Sequence, residues 1–403
     1  MKILVVCQHY WPEAFRITEI CEDLVTRGHT VTALVGLPNY PSGIVPKEYK
    51  WFRKRRETIN GVNVHRCFEI GRRNTKLGLA INYCSYMLSA SLTIMLLARD
   101  YDVVYAYSTS PVLMSLPAAL LRCVSRKKLI IDVLDIWPAC LAAMHVYEGS
   151  MLYAFMKRVS RWIYGKADML VYSSKQFQGY LQRVHGITVP DTHYLPQFAD
   201  SLFETLPEKG DSHITHLVFA GNIGKVQSVE TLLRSAALLK GEALHFHIVG
   251  DGSNYAACLE LADTLKIDDM LTFHGRKPLE QMPAFYALAD AMLVSMKYDE
   301  SVNDTLPGKV QSYMAAGKPI LGSIAGETPI IIAEAACGFC APPEDAQAFA
   351  EVVRAFLALP DKAVLGNNAR AYYEQHFTKQ IHMDKLETLL HTLAEDSYEN
   401  TGA

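Results

Sequence analysis

The segment Asp304–Ile320, D-T-L-P-G-K-V-Q-S-Y-M-A-A-G-K-P-I, puts Lys309 in the first turn of a helix that follows the strand-breaking pair Pro307-Gly308. The first N–H groups of a helix have no partner within it and carry partial positive charge, so such a junction suits a phosphate. Gly317 and Pro319 then mark the helix stop. The chemistry this predicts is capture of a phosphate-bearing ligand. On these residues alone the plainer alternative, an ordinary loop-to-helix junction in an α/β domain, stays open.

Three more segments bring polar residues to the ends of apolar strands. In Phe219–Gln227, F-A-G-N-I-G-K-V-Q, Gly221 and Gly224 allow close backbone approach, and Lys225 can reach a diphosphate lying over the following helix. The loop Gln8–Arg16 is polar and aromatic, with Arg16 either facing a ligand or solvated at a helix start. Asp132-Val133-Leu134-Asp135-Ile136-Trp137-Pro138 offers two carboxylates, one of which is expected to cap the next turn. Arg276, in F-H-G-R-K-P, is a ligand contact or a surface charge.

The elements that must carry these residues read as two series. Lys2–Cys7, Thr30–Val35, Val103–Tyr107, Leu129–Val133 and Met169–Ser173 alternate with stretches of helical period, which argues for a parallel sheet wrapped by helices. His216–Ala220, His245–Val249, Leu271–Phe273, Ala291–Ser295 and Ile320–Gly322 repeat the scheme. The fold class is therefore α/β with two Rossmann-like halves, and ligands are expected at the carboxyl ends of the strands. A chain of 403 residues exceeds one comfortable core. The polar stretch Pro196–His213 is the expected boundary, giving domains of 1–198 and 199–379.

Half of the residues are hydrophobic and a fifth charged, as in a globular soluble protein. A formal charge of −3 without a basic tail gives no support for a nucleic-acid partner. The nine cysteines are scattered as reduced core thiols would be, and the one C-x-x-C, Cys337–Cys340, lacks nearby histidines, so a structural zinc site is not expected. The apolar start M-K-I-L-V-V-C is too short for a secretory signal, and the cytoplasm is the expected compartment.

The Asp304–Ile320 run resembles the nucleotide-sugar site of retaining glycosyltransferases of family 4. That resemblance implies a B-type fold, with a final helix, about 380–396, crossing back to the first domain. It implies nucleotide-sugar contacts from Asp304, Thr305, Leu306, Lys309 and Ser312, joined by Gly221, Asn222, Lys225 and Arg276. Two glutamates spaced E-x7-E usually frame the helix in that family, and here Asp304 and Ser312 hold their positions. A neutral hydroxyl is a weaker ribose ligand than a carboxylate. Asn222 and Gln227 likewise replace the family's arginine and lysine, and the first loop lacks the usual double glycine. Asp135 would orient a sugar hydroxyl or stabilise an oxocarbenium-like centre, with Arg16 facing the reacting sugar and Lys309 steadying the departing diphosphate.

The implied reaction is metal-independent transfer from a UDP-sugar without any cofactor, with retention at the anomeric carbon and the leaving phosphate taking the acceptor's proton. The runs Y-W-P-E-A-F-R, G-L-P-N-Y-P and D-I-W-P are most similar to the L-fucosamine transferases of O-antigen and capsule assembly, which implies UDP-N-acetyl-L-fucosamine as donor and a polyprenyl-diphosphate-linked sugar as acceptor. An epimerase of UDP-sugars and a non-catalytic subunit of an assembly complex are the rival readings.

Leu77–Ala98 carries no charge and is long enough to span a bilayer. It contains Asn82, Ser85, Ser89, Ser91 and Thr93 and lies between strands that must share one sheet, so a helix packed on the first domain is expected instead. Upstream, Lys50–Arg56 and Arg72–Lys76 are basic runs, the first interleaved with aromatics, that suit an anionic membrane surface or form a solvated basic face. The expected location is peripheral, at the inner face of the cytoplasmic membrane.

Overall fold

Apolar runs rich in β-branched residues form strands buried on both faces, as parallel sheets require. The computed structural model describes residues 1–399 apart from 52, 73–74, 98–100, 126, 211 and 299–303. It divides into two units, one of residues 1–195 with the segment from Met383 onward, the other Pro196–His382.

The first unit holds a seven-stranded sheet in the order β3-β4-β2-β1-β5-β6-β7. The strands are β1 Lys2–Val6, β2 Thr30–Val35, β3 Arg56–Ile59, β4 Val62–Arg66, β5 Val103–Ser108, β6 Lys128–Val133 and β7 Met169–Tyr172. All pairings are parallel except β3 with β4. Strand order reverses between β1 and β5, which makes their carboxyl ends the ligand-binding crevice of this topology. The helix Ile17–Thr26 buries Ile17, Ile20, Cys21 and Leu24 along one face, and Gly28 ends it at φ +89°.

The helix Lys76–Leu97 is docked by two kinds of contact. Tyr86, Ala90 and Ile94 enter the core of the unit. Asn82 donates to the Ile70 carbonyl at 2.7 Å, Ser89 Oγ to the Phe68 carbonyl at 2.5 Å, and Ser85 Oγ accepts from Ile70 N–H at 3.0 Å. The polar residues of the charge-free run thus fasten one helix face, while Leu77, Leu88, Leu92 and Leu96 are exposed on the other. The last helix, Lys379–Glu399, is tied to this unit where Asp384 and Glu387 pair with Arg27 at 2.6 and 2.9 Å.

The second unit has a six-stranded parallel sheet, β10-β9-β8-β11-β12-β13. Its strands are β8 Thr215–Ala220, β9 Leu244–Val249, β10 Leu271–Gly275, β11 Ala291–Ser295, β12 Ile320–Ser323 and β13 Gly338–Ala341. Leu217 and Phe219 look into one core layer, and Val218 and Ala220 into the other. Strand order reverses between β8 and β11, so the Gly221 loop and the chain leading to Lys309 leave the two strands at the reversal.

Three strands were not foreseen. β3 and β4 form a hairpin whose turn residues Asn60 and Gly61 have φ of 47° and 84°, an Asn-Gly signal that the charged sequence R-E-T-I obscured. β13 coincides with the C-x-x-C segment. A side chain on Gly338 would place its Cβ 1.8 Å from the Ile320 carbonyl, so only glycine permits the pairing with β12.

Histidines cross one side of the second sheet in a hydrogen-bonded row. His216 Nδ1 meets His247 Nε2 at 2.9 Å, His247 Nδ1 meets His274 Nε2 at 3.0 Å, and Ser212 Oγ lies 2.8 Å from His216 Nε2. Burial pushes His247 down to about 3, with the neighbouring His245, His274 and His216 adding repulsion. Burial also lowers His216, His245 and His274, partly opposed at His216 by Asp290 and at His245 by Asp269. The unfolded chain, with His near 6.5, binds more protons between these values, so stability is full above about 6.5 and falls as pH drops toward 3. Thermal melts from pH 7 to pH 4 should therefore show a loss of about 1 kcal/mol per pH unit from this group. The loss should flatten in His247→Gln, and equal slopes would show the row to be pH-silent.

Candidate active site

In the second unit, β8 runs into Gly221 at φ +141°. A Cβ there would stand 3.0 Å from Lys309 Nζ and 3.3 Å from its Cε, so glycine makes room for the lysine. Lys309 rises from the first turn of the helix Gly308–Ala315, whose start at Pro307 has no side-chain cap. Its Nζ is 4.1 Å from the centre of the Phe219 ring, a cation–π distance. The residue keeps some exposure, but the Nζ atom itself is sealed and has no hydrogen-bond partner among the described residues. Burial pushes its pKa down to about 8.

The surrounding loop is fixed by side chains that sequence reading passed over. Tyr313 is buried, and its hydroxyl lies 3.1 Å from the Ala220 carbonyl, 3.3 Å from the Leu293 carbonyl and 3.3 Å from Ala220 N–H, which donates to it. One phenol thus ties the end of β8 and the middle of β11 to the lysine's helix. Gln227 Oε1 accepts from Asn222 Nδ2 at 3.0 Å and Gly224 N–H at 3.1 Å. Gly250 must be glycine because a Cβ would fall 1.8 Å from the Gly221 carbonyl.

The other expected contacts divide. Lys225 and Arg276 are both exposed, Arg276 on the loop after edge strand β10. Leu306 packs into the core, while Asp304 and Thr305 are half-buried on the approach to Pro307. Ser312 is buried and its hydroxyl donates to the Gly308 carbonyl at 3.3 Å. In the chain that follows β11, Lys297 N–H donates to the Val226 carbonyl at 2.8 Å, holding that chain to the Gly221 loop.

In the first unit, Asp135 Oδ2 accepts from Ser110 N–H at 2.8 Å, joining the loops after β5 and β6, and burial raises its pKa. Asp132 is wholly buried, takes the Tyr105 hydroxyl at 2.7 Å and is pushed up to about 7. Arg16 starts the helix Ile17–Thr26, and its charge partly opposes the burial that raises the Tyr107 pKa. Two buried glutamates organise the loops beside them. Glu13 Oε1 accepts from Asn39 and Tyr40 N–H, both at 2.6 Å, and its Oε2 meets His9 Nδ1 at 2.7 Å. Glu69 Oε1 accepts from Gln8, Asn39 and Asn82 at 2.6, 2.9 and 2.6 Å, and burial lifts it to about 7. The expectation of no metal also passed over one Asp-x-Asp spacing, Asp100-Tyr101-Asp102. Asp100 lies outside the described residues, and Asp102 takes Lys2 N–H at 2.8 Å where β1 and β5 begin, the opposite end from the crevice.

Residues 206–372 match the family Glycosyl transferases group 1, and residues 14–197 match the Glycosyl transferase 4-like domain. The chain is 28% identical over 358 residues to WbjE of Pseudomonas aeruginosa, named a glycosyltransferase, covering 82% of this chain and 85% of that one. The chain is a glycosyltransferase. The transferase is also 23% identical over 404 residues to WcaI of Escherichia coli K12, named for glycosyl transfer in colanic acid biosynthesis, at coverages of 94% and 97%. Its fold is that of the B-type transferases. Sucrose-phosphate synthase of Thermosynechococcus elongatus superposes with a TM-score of 0.76 at 17% identity, over 97% of this chain and 98% of that one. HepE of Anabaena, solved in complex with UDP, gives 0.69 at 16% identity over 97% and 100%.

Removing the Tyr313 hydroxyl tests the positioning of the transferase's lysine. Tyr313→Phe should cost about 1–3 kcal/mol of stability, since it strands buried backbone groups. Denaturant titration reads this directly, and unchanged stability would show the hydroxyl to be idle.

Proposed function

We propose that the transferase moves a sugar from a UDP-sugar to a polyprenyl-diphosphate-linked acceptor in bacterial surface-polysaccharide assembly, without a metal and with retention at the anomeric carbon. The observation that carries this reading is Lys309. Its buried ammonium, unpartnered among the described residues, stands beside a glycine turn and a helix amino terminus at the reversal of strand order. A diphosphate would supply the missing counter-charge, and the same contact would stabilise it as a leaving group. HepE, of the same fold, is titled as a complex with UDP and with UDP-glucose. WcaI is named for colanic acid biosynthesis and WaaG for lipopolysaccharide biosynthesis, which supports a polysaccharide setting. N-acetyl-L-fucosamine as the sugar rests on the resemblance of the sequence runs. In this reading unit 2 holds the donor and unit 1 the acceptor.

The site makes nucleotide binding pH-dependent. A bound diphosphate raises the pKa of Lys309 from about 8, so binding takes up a proton above that pH and affinity falls as pH rises through it. Calorimetric titration with UDP at pH 7 and pH 9 should show weaker binding at pH 9, and Lys309→Ala should lose about 10²-fold or more in sugar transfer. Transfer of labelled sugar into lipid extracts tests the donor, and full activity in Lys309→Ala would sink the assignment.

We also propose that unit 1 lies on the inner face of the cytoplasmic membrane through the outer side of the helix Lys76–Leu97. Leu77, Leu88, Leu92 and Leu96 are exposed there, and Arg53, Lys54 and Trp51 of the basic run are exposed as well. Arg55 does not contribute, because its Nη1 is turned inward to the Cys67 carbonyl at 2.7 Å. Phe52, Arg73 and Asn74 of the expected basic runs lie outside the described residues. Co-sedimentation with vesicles containing anionic lipid should fall at least about tenfold in the double variant Leu88→Glu, Leu92→Glu, the loss of two buried leucines being worth several kcal/mol. UDP affinity should stay at the wild-type level, and unchanged sedimentation would remove this face from the reading.

A further inference from the structure

The helix Met151–Tyr164 buries one face and leaves the opposite one apolar. Met156, Ser160, Ile163 and Tyr164 are buried, and three of them, Met156, Ile163 and Tyr164, join the core of unit 1. Met151, Phe155, Arg158 and Trp162 follow at helical spacing on the outer face. Met151 is 91% exposed, Phe155 59% and Trp162 40%, and Leu152 is exposed beside them. Single exposed apolar residues are ordinary, but a methionine, a leucine, a phenylalanine and a tryptophan gathered on one short helix mark a contact surface.

Charge decides what that surface touches. Arg158 and Arg161 are exposed on the same helix, Lys157 is half-buried, and Lys166 follows with its Nζ 5.5 Å from the centre of the Trp162 ring. No acidic residue occurs between Met151 and Ala167. Of the acids that flank this stretch, Glu148 is exposed in the turn before the helix, and Asp168 is held by Arg122 at 2.6 Å. A second copy of the chain would bring this basic face against itself, with no carboxylate on the helix to pair the arginines. Anionic lipid offers both partners at once, phosphate for the arginines and acyl chain for the apolar side chains.

The position of the helix agrees with that partner. It carries the chain from the carboxyl end of β6 back to the amino end of β7, so its first turn stands at the crevice end of the sheet. The helix Leu116–Val124 packs against it and also against the helix Lys76–Leu97, and all three contribute to one core layer. The outer sides of the first and last of these helices therefore belong to the same side of unit 1.

We propose that the helix Met151–Tyr164 is an interfacial anchor, lying in the headgroup layer of an anionic bilayer with Met151, Phe155 and Trp162 among the acyl chains and Arg158 and Arg161 on lipid phosphates. This rests on the proposed reading that unit 1 lies on the membrane, and it widens the contact from one helix to a side of the unit. Met151, Leu152 and Phe155, at the start of the helix, then meet the bilayer at the crevice end. An acceptor carried by that bilayer would reach unit 1 without leaving it.

Fluorescence of the full chain with vesicles of brominated anionic lipid tests this, because bromine quenches a tryptophan that enters the acyl region. The wild type should be quenched, and Trp162→Phe should lose most of that quenching while still sedimenting with the vesicles. Phe155→Glu should weaken vesicle binding at least about tenfold. The double variant Arg158→Gln, Arg161→Gln should bind less tightly and with a flatter salt dependence. UDP affinity and melting temperature should hold in all of these, since the side chains changed lie outside the core. Quenching in Trp162→Phe equal to the wild type overturns the inference and leaves the membrane contact to the helix Lys76–Leu97. A dimer of the wild type that Phe155→Glu dissociates, with vesicle binding unchanged, gives the face to a second copy and overturns it too. A wild type that never binds anionic vesicles overturns both this anchor and the membrane reading.

Discussion

A lysine ammonium buried without a counter-charge among the described residues is the constraint around which the second unit is organised. Moving Lys309 from 10.5 to about 8 corresponds to roughly 3 kcal/mol opposing the charged form in the folded state. Folding alone does not favour such a residue, since a leucine or methionine there would avoid the cost. What the surroundings do is hold the charge in one place. Phe219 offers its ring face, Gly221 withholds a side chain, and Tyr313 ties the helix to the strands β8 and β11. A site held this firmly has little reorganisation left when an anion arrives, which is the condition under which a single charge contributes most.

The first unit solves the opposite problem. Glu13 and Glu69 are buried carboxyl groups, and each is surrounded by hydrogen-bond donors rather than by lysine or arginine. Glu69 Oε2 accepts Leu37 N–H at 3.1 Å while its Oε1 collects three side-chain amides. The loops after β1 and β2 are thus held to the segment after β4 and to the helix Lys76–Leu97 by two carboxylates that need no arginine. Gly36 is the cost of this arrangement, since a Cβ there would meet Glu69 Oε2 at 1.9 Å.

Fully buried strands announced themselves as runs of β-branched residues, so both parallel sheets and their order of appearance were legible before any coordinates. Legibility failed where a strand lacks that signature. R-E-T-I lies at a sheet edge with its alternate residues in water, and G-F-C-A is short and opens on a glycine. In the site, Lys309 and Gly221 were readable because a lysine after Pro-Gly and a glycine after a strand each have a local meaning. Tyr313 was not, because a tyrosine in an apolar helix looks like core until its hydroxyl is seen to meet the carbonyls of two strands. Glu13, Glu69 and His9 were hidden for a similar reason. The partners of Glu69 are 13 to 61 residues away, and those of Glu13, apart from His9 four residues before it, are backbone groups 26 and 27 residues on, which no spacing rule records.

The charge-free helix shows how one sequence feature can carry two demands. Asn82, Ser85 and Ser89 follow the three-and-four spacing of a single helical face, and that face meets the segment 67–70 and Glu69. Those hydrogen bonds, with Tyr86, Ala90 and Ile94 in the core, are sufficient to dock the helix. Leu77, Leu88, Leu92 and Leu96 contribute nothing to that docking, because they stand on the solvent side, where polar residues of good helix propensity would serve equally well. Their presence is thus not a requirement of the fold. It is accounted for by the membrane contact proposed for the outer face, since an apolar stripe on one side of a helix has the chemistry of a lipid-facing surface.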